Sequence, residues 1–396
     1  MIDFNIALEL VGEIAQTLNP ISIPVINSVG YILDEDIYSP LDMPPFVKSA
    51  MDGYAYKNEI KDYTKIELKN IGMVAAGDFF TGNIKSDECI SIMTGAPLPD
   101  STDTVIPIEN TEKEGDLITF RKNMITGANV CLKGEDISKG ALILEKGTLI
   151  KTSHIALLSS AGYENIKVIR KPKIAILNTG SEIIEPGKEL KAGQIYNSNG
   201  QMLQAMCNNL NYDAEYIGIA EDTEETLKNA IKQGLEYDIL LISGGVSMGE
   251  FDLVPGMLKE SGVDKIFHKV KIKPGKPLFF GKHSNGLVFG LPGNPLSNFV
   301  GFTLFVTTAV KKMSSLSDIY PEFKSGILTK EFRQRSGRRN FFPATIEKNN
   351  DQYFITPVDS NGSADIMSLS KADGFLIAHE DISVIKEGET TEFILF

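Results

Sequence analysis

The chain has 396 residues, 42% of them hydrophobic and 23% charged, an ordinary balance for a soluble globular protein of about two to four domains. A formal net charge of −13 argues against nonspecific binding to nucleic acid or to an anionic membrane. It leaves a phosphorylated ligand open, because bulk charge is screened over roughly 8 Å and local lysines and amides decide. Three widely spaced cysteines (Cys89, Cys131, Cys207) and four scattered histidines give no disulfide framework and no zinc-like spacing, and point to reduced thiols in the cytoplasm.

From the N-terminus, Ile6, Leu10, Ile14 and Leu18 fall four apart and predict a helix face within Met1–Leu18. This stretch lacks the basic start of a signal peptide. Asn19-Pro20 ends the helix, and a Pro-rich turn covers Ser39 to Phe46. Short β-like runs follow at Ile66 to Leu68, Cys89 to Met93, Thr104 to Ile108 and Leu117 to Phe120, separated by Gly, Asp and Asn clusters, which reads as a β-rich lobe. Ser153 to Ala161 reads as a short helix with Ser153 as its N-cap.

From Lys173 to Lys312 strands alternate with helices, the pattern of a largely parallel sheet covered on both faces. Predicted strands are Ile174–Leu177, Ala214–Ile217, Ile239–Ile242, Leu278–Phe280 and Leu287–Phe289. Predicted helices are Ser198–Asn209, Glu224–Gly234, Val254–Ser261 and a closing one, Pro295–Val310. Beyond a linker at Ser314 to Pro321, apolar runs through Thr391–Leu395 predict antiparallel strands of a small barrel or sandwich. The expected architecture is therefore multidomain α/β plus β. It has an N-terminal two-lobed region (1–170, with the β-rich lobe at about 46–135), a three-layer α/β domain (171–315) and a C-terminal β-barrel (318–396).

Chemistry concentrates where strands end. Ile239–Ile242 stops at Ser243-Gly244-Gly245, and Glu250 and Asp252 follow. Adjacent glycines let the backbone turn its N–H groups toward an anion at the carboxyl end of a strand. Acids beside an anion make sense with a divalent cation between them. A second strand ends at Asn178-Thr179-Gly180-Ser181-Glu182, a third at Pro292-Gly293-Asn294-Pro295, and Lys271, Lys273 and Lys276 surround a Pro/Gly turn. Cys207, inside an apolar helix, reads as a buried thiol rather than a nucleophile.

Six ordered segments then assemble. They are Ser49-Ala50-Met51-Asp52-Gly53-Tyr54-Ala55, Ile92 to Pro99, Gly134-Glu135-Asp136, Ser243 to Gly249, Lys273-Pro274-Gly275-Lys276-Pro277 and Gly290 to Pro295. With them nearly the whole chain resembles the molybdopterin molybdenumtransferases, the bacterial and archaeal counterparts of the gephyrin E domain. The resemblance implies Mg²⁺-assisted insertion of molybdenum, taken from molybdate, into adenylylated molybdopterin with release of AMP. It also implies a homodimer whose active cleft involves both subunits. As partners it suggests the molybdopterin adenylyltransferase and molybdoenzyme maturation proteins, with no nucleic acid and no membrane.

Carried over residue by residue, the resemblance gives Asp52, Glu182 and Asp252 as Mg²⁺ or ligand carboxylates, with Asp136 and Asp222 behind them. Thr94 and Ser247 offer hydroxyls, Lys271, Lys273 and Lys276 contact phosphate or molybdate, and Gly180, Ser243, Gly244, Gly245 and Gly293 with Asn294 form the ligand loops. Pro292 and Pro295 shape the pocket floor. Arg338 and Arg339 read as a solvated surface pair or as anion contacts. Three departures stand out: Lys48 replaces a usual asparagine, Ser181 a usual aspartate, and Gly362-Ser363-Ala364-Asp365 a more usual Gly-Ser-His or Gly-Ser-Gly, which leaves Ser363 unassigned. The alternatives are a molybdopterin adenylyltransferase, which normally carries Gly-Gly-Thr-Gly where this chain has Gly-Gly-Val-Ser, and a non-catalytic scaffold like gephyrin.

Overall fold

The computed structural model describes residues 1–59, 65–122, 124–246, 253–335 and 337–396 and divides into two units. One comprises Met1–Ser22, Gly30–Asp34 and Lys167–Phe396, the other Ile23–Val29 and Glu35–Ile166.

In the first unit a six-stranded sheet runs in the order Ala214–Ala220, Ile174–Thr179, Ile239–Ser243, Leu287–Leu291, Phe279–Lys282, Asp264–His268. The first four are mutually parallel, Phe279–Lys282 runs antiparallel to Leu287–Leu291, and Asp264–His268 runs antiparallel to Phe279–Lys282. Every residue of Ile174–Thr179, Ile239–Ser243 and Leu287–Leu291 is buried, which is why these strands are continuous apolar runs rather than alternating ones. Leu203, Cys207, Val300 and Phe305 cover one face; Leu227, Ile231, Val254 and Leu258 cover the other.

The first helix spans Phe4–Ile14, capped by Asp3, whose Oδ1 accepts from the Asn5 amide at 2.9 Å. Its buried face is Phe4, Ala7, Leu8 and Val11, while Ile6 is 51% exposed, so the expected stripe is rotated. The reason is Phe4, whose ring packs against Phe341 and Phe305 at centroid distances of 5.3 and 6.0 Å and so takes over the core-facing position. The closing helix is also not uniform. It runs α over Pro295–Gly301, π over Phe302–Val306 and α again over Thr307–Met313.

Past the linker, Lys324–Leu328, Arg339–Asn349, Gln352–Pro357, Gly374–Ala378 and Thr390–Leu395 close into a five-stranded barrel around Leu328, Ala344, Ile355, Leu376 and Phe393. Four of its five pairings are antiparallel, as expected; Lys324–Leu328 pairs with Gln352–Pro357 in parallel. Ile272–Lys273 joins Arg339–Asn340 as a further parallel pair and so ties the lysine turn to the barrel rim.

The second unit is built on a sheet in the order Thr104–Pro107, Gly53–Tyr56, Glu88–Ile92, Ile66–Val74, Leu117–Phe120, Glu112–Glu114. Its core holds Tyr54, Cys89, Ile106 and Phe120. The short helix there starts at Thr152 with Lys151 at the cap, not Ser153. His154 Nδ1 accepts from the Lys151 amide at 3.3 Å, which fixes the start two residues earlier than the hydroxyl suggests.

At the amino ends of the parallel strands Arg170 grips Asp238 with two bonds of 2.6 and 2.7 Å, and the Lys173 amide adds a third at 2.8 Å. Burial pushes the Asp238 carboxyl up, but the Arg170 guanidinium and the Lys173 amide outweigh it and hold it below the usual range. Because the folded pKa is depressed, this stabilisation is present above the ordinary carboxylate pKa and is lost as pH falls through the folded one. Arg170→Met is expected to lower stability by about 2 kcal/mol at neutral pH and by progressively less as pH falls below the ordinary carboxylate pKa and through the folded one, a trend that thermal melts across that range will read.

Candidate functional site

The glycines at the strand ends are required by space as well as by angle. Gly244 and Gly245 have φ of +96° and +62°. A Cβ on Gly244 would lie 2.5 Å from the Thr179 carbonyl oxygen, and one on Gly245 2.7 Å from both Thr179 Oγ1 and Val254 Cγ2. The two loops therefore pack backbone to backbone, with the Thr179-Gly180 turn against the Gly244-Gly245 turn. Glu182 folds back over Gly180, where a Cβ would meet Glu182 Oε2 at 2.8 Å. Ile183–Ile184 pairs with Ile195–Tyr196, and the Ile195 amide donates to the Glu182 carbonyl at 2.9 Å, which holds the exposed Glu182 in place. Ser181 and Asp222 bond reciprocally: the Ser181 amide donates to Asp222 Oδ2 and the Asp222 amide to Ser181 Oγ, each at 3.3 Å. An aspartate at 181 would set two like charges there, so the serine converts a repulsion into a pair of bonds. Ser247, Glu250 and Asp252 lie outside the described residues.

A cavity of about 410 Å³ lies where the lysine turn faces the barrel. Lys273, Lys276 and Arg338 line it together with Pro292, Asn294, Ser297, Asn340, Ser360 and Ser363. Three cations and several hydroxyl and amide groups around one void form a donor-rich site, the chemistry that a multiply charged oxyanion needs. Lys271 does not line it; its backbone instead binds Ile2 and Arg339. The two arginines separate. Arg338 turns to the cavity and donates to the Ile272 carbonyl at 3.1 Å. Arg339 lies over the Phe4 ring at 4.9 Å, beside Glu380 at 3.6 Å, and donates to Asn5 Oδ1.

Ser363, left unassigned from the sequence, is placed in the cavity wall, where its hydroxyl accepts from Asn294 Nδ2 at 2.7 Å and its carbonyl from the Leu296 amide at 3.2 Å. Asp365 explains the departure from the family pattern. Its carboxylate accepts from the Asn361 and Ser368 amides and so shapes the Ser360–Ser363 turn. Of the residues missed, Ser297 lies only two positions beyond the Pro292–Pro295 loop, whereas Asn340 and Ser360 carry no local signal.

In the second unit, the pairing of Gly53 with Ile92 brings Asp52 beside Thr94. Asp52 Oδ1 accepts from the Thr94 amide at 2.6 Å and from its hydroxyl at 2.8 Å. These two donors, the amide first, hold the exposed carboxyl below its usual range. Gly53 admits no side chain, since a Cβ would fall 2.0 Å from the Ile106 carbonyl oxygen. Asp136 is exposed in a turn, its amide bonded to the Met43 carbonyl at 3.0 Å. Asp42, which the sequence did not single out, shapes that turn by accepting from the Lys139 amide at 2.8 Å.

The described residues contain no group of three or more His, Cys, Asp or Glu side chains placed to hold a metal. Within each unit by itself an exposed carboxylate, Glu182 in the first and Asp52 in the second, is of the kind Mg²⁺ takes, since the ion needs only one or two carboxylates and keeps its waters. Cys207 is fully buried, and burial pushes its thiol up to about 12, which removes it as a nucleophile.

Residues 2–162 match the MoeA N-terminal region (domain I and II), 175–312 a probable molybdopterin binding domain, and 325–396 the MoeA C-terminal region (domain IV). A molybdopterin molybdenumtransferase of Staphylococcus aureus is 31% identical over 394 residues, covering 98% of this chain and 94% of that protein. The chain belongs to the molybdopterin molybdenumtransferase family. Another family member, from Staphylococcus epidermidis, is 31% identical over 95% of this chain and 91% of its own. Two crystal structures of the MoeA protein of Pyrococcus horikoshii superpose over the full chain. Their TM-scores are 0.83 and 0.78 at 35% and 30% identity, with 99% and 100% of those chains covered. The probable molybdopterin binding domain corresponds to the α/β sheet and its helices, and the MoeA C-terminal region to the small barrel. No helix among the described residues is long and apolar enough to cross a membrane.

Proposed function

We propose that this protein inserts molybdenum, supplied as molybdate, into the dithiolene of adenylylated molybdopterin and releases AMP, a step of molybdenum cofactor biosynthesis. The observation that carries this reading is the convergence of Lys273, Lys276 and Arg338 with Ser297 and Ser363 on one cavity. Molybdate offers four acceptor oxygens and two negative charges, and that wall supplies the matching cations and donors. The Gly244-Gly245 turn receives a phosphate, and Glu182 and Asp222 take hydrogen bonds from the pterin side. Asp52, Glu182 and Asp252 are the carboxylates assigned to Mg²⁺. When bound, the ion neutralises charge on the phosphates as the phosphoanhydride opens.

The protein works in the cytoplasm as a homodimer, a reading supported by the apolar rim beside Asp52. There Met51, Met93 and Ile108 are 40%, 44% and 51% exposed, an arrangement that favours a covering partner. The division at 1–170, 171–315 and 318–396 belongs to the same reading. The deciding experiment supplies the purified protein with adenylylated molybdopterin and titrates molybdate. AMP release that rises with molybdate is expected. Consumption of ATP with plain molybdopterin, indifferent to molybdate, would move the protein to the adenylyltransferase class.

A further inference from the structure

Ser243 ends the central strand but does not face a ligand: it is 1% exposed. Its hydroxyl oxygen accepts from Asn199 Nδ2 at 3.0 Å and from Asn298 Nδ2 at 2.9 Å. The same two amides also reach the neighbouring loop, Asn298 Nδ2 to the Pro292 carbonyl at 3.2 Å and Asn199 Nδ2 to the Gly293 carbonyl at 2.8 Å. Both peptides are trans, and in a planar trans peptide the N–H points opposite to the C=O. Drawing the two carbonyls inward therefore turns the Gly293 and Asn294 amides outward; both residues are exposed, and Asn294 and the neighbouring Pro292 line the lysine cavity. Among the described residues neither amide donates to another backbone group.

The knot is also expensive. Asn199 and Asn298 are 6% and 0% exposed, yet their Oδ1 atoms have no partner among the described residues. Apolar packing would serve stability better than a half-satisfied buried network, so a purely structural role leaves the polar choice unexplained.

We propose that Ser243, Asn199 and Asn298 are positioning residues that hold the Gly293 and Asn294 amides toward the oxyanion of the adjoining cavity. The inference rests on the oxyanion reading of that cavity. Its test is molybdate titration by calorimetry of the full-length protein, with Lys276→Ala as the control for the cavity itself. Ser243→Ala is expected to weaken molybdate about tenfold and to raise KM for molybdate more than it lowers kcat. Because Ser243→Ala deprives both buried amides of the hydroxyl, Ser243→Ala/Asn298→Leu, which removes one of those two donors together with the hydroxyl, is measured beside it. The double variant is expected to recover part of the lost thermal stability and to stay about tenfold weak. Recovery of both stability and affinity, or unchanged affinity in a folded Ser243→Ala, overturns the positioning role while leaving the cavity reading intact. Wild-type protein that binds no molybdate, indistinguishable from Lys276→Ala, brings down both.

Discussion

Replacing Lys273 and Lys276 together by alanine is expected to lower molybdate-dependent AMP release by about 10²- to 10⁴-fold while the protein still folds. Each charge-assisted hydrogen bond contributes about 1.5–3 kcal/mol net, and about 1.4 kcal/mol is a factor of ten in rate. Two such contacts on one anion thus span that range, with some overlap because neighbours share the same charge. Folding should survive, since both lysines are exposed and the turn is held by backbone. Gly275 has φ +96°, and the Ile272–Lys273 pairing to Arg339–Asn340 uses main-chain groups. The control is Lys282→Ala, an exposed lysine of the α/β sheet. Lys282 pairs with Leu287, at the amino end of the parallel strands and away from the cavity, and it should leave the rate within about twofold because a lone exposed charge is well screened. Equal losses in both variants would mean that the effect comes from net charge and not from the cavity, and the assignment would fall.

These outcomes bear on how much of the site a reader of the sequence can recover. The strand-terminating glycines were legible because their restriction is local: a run of buried β-formers followed by Gly-Gly already implies a backbone that no side chain can follow, and the φ values agree. The α/β alternation was legible for the same reason, as three strands are buried at every position. The cavity wall was only half legible. Lys273 and Lys276 lie in one conspicuous turn, but Asn340, Ser360 and Ser363 reach it through barrel closure, a long-range event with no periodic signature. Arg338 and Arg339 show the limit most plainly. Arg338 sits in the bend just before the strand that starts at Arg339, so one lines the cavity and the other stacks on Phe4, and two identical residues end with different roles. Ser243 was placed in the ligand loop by its neighbours, whereas its burial makes it a support beneath that loop. The rotated first helix has the same origin, since one phenylalanine contact outweighs a neat four-residue spacing.

Asp52→Asn is expected to reduce AMP release by about 10²- to 10³-fold, the loss typical of removing one preorganised electrostatic group from a reacting centre, without unfolding the lobe. The exchange is nearly isosteric, and an asparagine oxygen can still accept from the Thr94 amide and hydroxyl as Asp52 Oδ1 does. The Gly53–Tyr56 strand keeps its pairing with Glu88–Ile92, so geometry is held while charge is removed. Thr94→Val separates the two contributions. It removes one of two donors and leaves the amide, so the Asp52 pKa rises toward the ordinary carboxylate range but the group stays ionised at neutral pH. Its rate at pH 7 should therefore fall only a few-fold. Because the folded pKa of Asp52 is depressed, the ionised form is present above that pKa and lost below it. The acid limb of the AMP-release profile should then sit at higher pH in Thr94→Val than in the wild type, and the Asp52→Asn protein should have no such limb from this group. Carboxyl carbon-13 titration of the same proteins gives an independent reading of the shift. An Asp52→Asn protein with full molybdate-dependent activity, or a Thr94→Val profile that does not move, would remove Asp52 from the chemistry and leave it as a carboxylate that merely fastens two loops.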